Sequence, residues 1–117
     1  MNVVFNPMIT APQAGNVWAT NSVQTITWQT DMIPVEEQNS TGTILLGWVN
    51  ATSQDEHLNV AQPLATGFQL MLGAVNVTVP DVLTRDDYIV VLFGDSGNAS
   101  PKFTIKNAAP DLSSLFN

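Results

Sequence analysis

Residues 86–106 read DDYIVVLFGDSGNASPKFTIK, and the reading of this stretch decides the fold. Tyr88 to Phe93 is almost wholly apolar and rich in β-branched side chains. Such a run suits a central strand buried on both faces, where neither side of the pleat needs polar residues. Gly94, Asp95, Ser96, Gly97 and Asn98 follow. They are turn formers, since glycine reaches positive φ without a Cβ clash and Asp, Ser and Asn bond their own backbone. Phe103 to Lys106 then alternates apolar and polar, as a half-buried partner strand does. The stretch therefore predicts an antiparallel hairpin at the centre of a sheet.

Upstream, Val23 to Thr30 alternates so that Ile26 and Trp28 share one face while Thr25, Thr27 and Gln29 share the other. Thr43 to Val49 is a further strand with Ile44, Leu46 and Trp48 on one face. Trp28 and Trp48 are accordingly read as structural core residues. Val3 to Phe5 reads as a short first strand stopped at Pro7, Val17 and Trp18 as an edge, and His57 to Ala61 as another short edge strand. Phe68 to Val79 holds two alternating halves whose phase changes at Gly73, which reads as a bulge or a hairpin turn. Tyr88 follows a corner carrying Leu83 and Asp86, the place of a tyrosine corner whose hydroxyl bonds back to upstream backbone. About seven strands with turns at regular spacing, and no amphipathic helix of ordinary length, predict an all-β fold. It is an antiparallel β-sandwich of the immunoglobulin or fibronectin type III kind over residues 1–106, with residues 107–117 as a C-terminal tail or the start of a linker. Leu112, Leu115 and Phe116 offer that tail a way to dock at a sheet edge.

Composition bounds the function. The 117 residues fit one domain, and three Lys and Arg against ten Asp and Glu give a net charge of −7. Nucleic-acid binding needs a basic footprint and an anionic membrane repels such a chain, so neither is an expected partner. No apolar run approaches the ~18 residues of a membrane span. There is no cysteine, so aromatic and branched side chains must supply the stability. Met1 is followed by polar and β-type residues and reads as replacing a removed leader. Four tripeptides match the N-glycosylation acceptor, at Asn39, Asn50, Asn76 and Asn98, and tilt the reading towards secretion. Asn98 is the weakest, because Pro101 follows its tripeptide.

Nucleophilic catalysis needs a base within reach of a hydroxyl or thiol, and His57 is the single histidine. The GDSG at Gly94 to Gly97 sits in a strand-connecting turn rather than in a protease scaffold. The acidic neighbours Glu36 and Glu37, Asp55 and Glu56, and Asp86 and Asp87 point apart in extended chain and read as solvated charges rather than a glycosidase pair. Calcium has hard oxygens at Asp95, Ser96 and Asn98 or at Asp86 and Asp87, where turn chemistry is the plainer reading. The expectation is a non-enzyme with no cofactor and no metal.

The phrases FNP, SVQTITW, GTILLG, PLATG, VTVP and DDYIVVLFGDSGNASPKFTI, in that order, cover roughly Val3 to Ile105. In this order they resemble the fungal Kre9/Knh1-type N-terminal domain found in Ser-Thr-rich, glycosylphosphatidylinositol-anchored surface proteins. The resemblance implies a secreted, cell-wall-associated β-sandwich linked to assembly of β-1,6-glucan, with no catalytic residues to carry over. No Ser/Thr-rich stalk or apolar tail follows Asn117, so the expectation is a domain cut before its stalk or a small free secreted protein. Glycan binding calls for an exposed ring with amide or carboxylate neighbours. Trp18, flanked by Asn16 and Asn21, is the freest candidate, with packing as the competing reading. The alternative function is a protein-interaction sandwich that self-associates weakly without binding glycan.

Overall fold

The computed structural model describes residues 7–31, 33–34, 39–49, 62–94 and 97–108, and the backbone of 56–58. Among them are ten strands: β1 (Ile9–Ala11), β2 (Val17–Ala19), β3 (Val23–Trp28), β4 (Thr41–Val49), β5 (Glu56–Leu58), β6 (Ala65–Gln69), β7 (Ala74–Thr78), β8 (Arg85–Phe93), β9 (Gly97–Ala99) and β10 (Phe103–Lys106). They form two sheets, one ordered β1-β3-β7 and the other β2-β10-β8-β4-β5, with β6 on β4 and β9 on β8. The chain is an all-β sandwich, as its alternating segments predict. The expected first strand Val3–Phe5 and the tail residues Leu112, Leu115 and Phe116 lie outside the described residues.

β8 is the strand on which the larger sheet is built. It pairs along Thr43–Trp48 of β4 on one side and with β9 and β10 on the other. Tyr88, Ile89, Val90, Val91 and Leu92 are all buried. Tyr88, Val90 and Leu92 face the core between the sheets with Ile44 and Leu46, while Leu45, Ile89 and Val91 bury outside that core. Each such side chain removed from water contributes roughly 1.5–3 kcal/mol before chain entropy is charged against it.

The return arm differs from the expected hairpin. Gly97 and Asn98 lie within β9 rather than in the turn, and the arm breaks at Ser100–Lys102 before resuming as β10. Ser100 explains the break. Its buried hydroxyl accepts the Val90 N–H at 3.0 Å and donates to the Pro101 carbonyl at 2.9 Å, so a side chain replaces a ladder bond. β2 runs parallel to β10, an exception to the antiparallel expectation.

Gly73 is neither bulge nor hairpin. A single 3-10 turn, Leu70–Leu72, follows β6, and Gly73 closes it at φ 71°, in the left-handed region that glycine enters freely. The chain thereby leaves β6 in the larger sheet and enters β7 in the smaller one, which accounts for the phase change. Trp28 fixes this crossover. Its Nε1–H donates to the Leu70 carbonyl at 2.8 Å in the interior, and its ring lies 5.3 Å from that of Phe68. Gly42 allows the approach, since a Cβ there would stand 2.7 Å from Leu70 Cδ2.

The Tyr88 hydroxyl donates to the Leu83 carbonyl at 2.6 Å and closes a tyrosine corner. Burial pushes the phenol pKa above its ordinary value. A raised native pKa gives a stabilising contribution that is complete below the ordinary tyrosine pKa of ~10 and is lost as pH rises through the native value. Tyr88 is the only tyrosine, so phenolate absorbance reports it alone. The phenolate should appear only above the pH at which free tyrosine ionises, together with loss of the β-sheet circular dichroism. Tyr88→Phe should cost about 1–3 kcal/mol in denaturant unfolding. Ionisation at the free-tyrosine pH with the fold intact would show an unconstrained hydroxyl.

Candidate functional site

At the start of β8, Trp48 of β4 and Tyr88 are cross-strand partners. The corner after β7 and the chain leaving β10 close around them. The result is an open recess of about 490 Å³ lined by Trp48, Asp81, Val82, Leu83, Arg85, Tyr88 and Asn107. Its apolar side is the half-buried Trp48 indole with Val82 and Tyr88, while Leu83 is 78% exposed.

The polar side is held in place by its own bonds. Arg85 and Asp87 lie two residues apart at the start of β8, where its register with β10 shifts. The guanidinium donates to both carboxylate oxygens, at 2.7 and 2.8 Å, in the fork geometry that suits arginine. The same guanidinium sits 5.1 Å from the centroid of the Trp48 ring, a cation–π contact. Asn107 Nδ2 donates to Asp81 Oδ1 at 3.0 Å and to the Val82 carbonyl at 2.9 Å. The Asn107 N–H donates to Thr84 Oγ1 and the Ala108 N–H to Thr20 Oγ1, each at 2.8 Å, which ties the chain after β10 to the corner. Ring, fork and amide are thus positioned before any ligand arrives, and such ordering lowers the entropic cost of binding.

The expected glycan-binding trio is not assembled. Trp18 is only 5% exposed, and its ring lies 4.6 Å from that of Phe103. This corrects the reading of Trp18 as a stacking platform: β2 lies on β10 and turns the indole into the core. Asn16 and Asn21 serve turns instead. Asn16 Oδ1 accepts the Gln13 N–H at 2.9 Å, and Asn21 takes φ 67°, a left-handed conformation that Asn tolerates. Of the three residues expected to be structural, Trp28 and Tyr88 are buried and Trp48 is half-buried.

The four acceptor asparagines also separate. Asn39 and Asn76 are exposed. The Asn98 Nδ2 donates to the Pro7 carbonyl at 2.7 Å. Asn50 lies outside the described residues, as do Asp95, Ser96 and the side chain of His57. Among the acidic residues weighed for calcium, Asp87 is paired with Arg85. Among the described residues no three His, Cys, Asp or Glu side chains converge.

In the sequence Trp48 reads as core by its parity with Ile44 and Leu46, and Asn107 reads as the start of the tail. The readable signal was Trp48 one residue from the end of its strand, with the Arg85 and Asp87 pair at the period of two. No family model matches this chain, and no curated protein matches it.

The fork from Arg85 holds the Asp87 carboxyl below the usual carboxylate range. A depressed native pKa contributes stability above the ordinary aspartate pKa of ~3.9, and that contribution is lost as pH falls through the lower native value. Side-chain exposures of 36% for Arg85 and 20% for Asp87 keep the contribution small and salt-sensitive. Asp87→Asn should therefore lower the thermal midpoint slightly at neutral pH, and the difference from the unaltered chain should vanish in strong acid. A difference that persists unchanged in strong acid would assign it to packing rather than to the ion pair.

Proposed function

We propose that this chain is a non-catalytic extracellular module that binds a neutral cell-wall polysaccharide, of the β-glucan class, in the Trp48 recess. One observation carries the reading: a half-buried indole lines an open recess whose rim presents Asp81, Arg85 and Asn107. Apolar walls with a few fixed polar groups are the usual construction of a small-ligand site. An indole offers a flat apolar ring to the C–H face of a pyranose, and the rim offers donors and acceptors to its hydroxyls. Neither a nucleophile with its base nor a pair of carboxylates across a cleft belongs to this reading: among the described residues the recess is lined by one carboxylate, Asp81, already bonded by Asn107. The choice of β-glucan over other neutral glycans rests on the resemblance of residues 3–105 to the fungal cell-wall domain. The same resemblance, with the acceptor tripeptides, supports the extracellular, cell-wall setting.

Calorimetry and retention on insoluble β-1,3- and β-1,6-glucan test the proposal. The unaltered chain should bind at least one of the two. Trp48→Leu, which keeps apolar packing beneath the recess, should weaken binding on the order of tenfold, equivalent to about 1.4 kcal/mol. Asn107→Ala should weaken it less. Absence of binding to both glucans, or binding indifferent to Trp48, would overturn the reading.

A further inference from the structure

We propose that Asn76 carries an N-linked glycan, and that this glycan guards the open edge of the β1-β3-β7 sheet against pairing with a second copy. The inference rests on the extracellular reading above and adds to it which acceptor is used and what its glycan does.

The smaller sheet poses a problem that the larger one does not. Its strands ITA, VQTITW and AVNVT contain no charged residue. β7 is its terminal strand, and among the described residues it pairs with β3 alone. Sheets usually blunt such an edge with lysine, proline, a bulge or a covering segment. β7 is instead a regular five-residue pairing from Thr78↔Val23 to Ala74↔Thr27, without proline or charge. A short, uncharged, β-branched segment with a free edge is the usual template for strand addition.

Asn76 stands at the middle of that edge. It is exposed, and its Oδ1 accepts the Thr25 hydroxyl at 2.7 Å. The Thr25 bond is made to Oδ1, so it does not use the nitrogen that a glycan would occupy. The Thr78 hydroxyl residue that completes the acceptor is exposed as well. A glycan on Nδ2 stands on the exposed face of the terminal strand, where its bulk hinders a strand added alongside, and it breaks no hydrogen bond already made.

Asn98 is the contrast. Its half-buried Nδ2 is committed to the Pro7 carbonyl, and the hydroxyl of its acceptor serine is buried between Val90 and Pro101. A sugar there would crowd the contact with Pro7. In the transfer itself, the Asn76 Nδ2 attacks C1 of a lipid-pyrophosphate-linked oligosaccharide. The N–C1 bond forms, the C1–O bond to pyrophosphate breaks, the lipid pyrophosphate leaves, and the amide proton passes to the transferase.

The test is secretion of the full chain from a eukaryotic host behind a cleavable leader. Glycans are then released enzymatically in heavy-oxygen water, and the peptides are mapped by mass spectrometry. The label should appear at residue 76 and be absent from residue 98. Sedimentation then compares the glycosylated protein with Asn76→Gln and Thr78→Ala, which lose the acceptor in two independent ways. Both should self-associate with rising concentration, and Asn76→Lys, which restores a charge to the edge, should be monomeric. An unlabelled Asn76, an occupied Asn98, or monomeric Asn76→Gln and Thr78→Ala would each overturn the proposal. If Asn76 is labelled in that host while protein from the cells that naturally make it carries no glycan at all, the extracellular premise falls with it. Glucan retention measured on the same samples fails or succeeds independently, through Trp48.

Discussion

Everything in the fold depends on β8 having no wet face. Val90 is fully buried, with β4 hydrogen-bonded on one side and the β9–β10 arm on the other. A strand in that position satisfies its backbone in both directions and loses water from both faces. This lets a chain without cysteine reach stability from packing alone. The two ends of β8 then carry different tasks. At its start, Tyr88 is anchored to the corner at Leu83, and Arg85 reaches over Trp48. At its far end, Ser100 and Asn98 stitch the return arm to Val90 and to Pro7.

Charge is distributed along the same division. All three basic residues, Arg85, Lys102 and Lys106, fall between the start of β8 and the end of β10. The smaller sheet has none of either sign in its strands. The larger sheet therefore presents a recess with an ordered ionic rim, and the smaller one hydroxyl and amide groups ending at β7, which among the described residues pairs with β3 alone. A binding site and a site of modification are reasonable tenants of these two surfaces, because each supplies the chemistry the other lacks.

How much of this was legible follows from the size of the signals. The six-residue apolar run, the alternation around Ile26 and Trp28, and the tyrosine after its corner are patterns longer than noise, and the structure places them as read. Strands β1, β2 and β9 have three residues each, too few to show any period. Gly73 announced a change of phase, yet a positive φ serves a bulge, a hairpin or a crossover equally, and only the Trp28 bond to Leu70 selects among them. Trp18 has polar neighbours, which left both a ligand-facing and a packed reading open. Its burial comes from a parallel partner, Ile105, that is distant in sequence. The recess was legible only in fragments for the same reason, since Trp48, the 81–85 corner and Asn107 come from separate segments that the sheet order brings together.

The central claim is that the doubly buried β8 holds the structure up, and residue-resolved amide hydrogen exchange addresses it directly. The ladder amides of Ile89, Val90 and Val91 should exchange only through global unfolding. Their free energies should equal the value from denaturant unfolding, while edge amides in β7 exchange by smaller local openings. If β8 amides exchange as readily as those of β7, the strand is not the support described, and both the recess at its start and the stitched arm at its end lose their foundation.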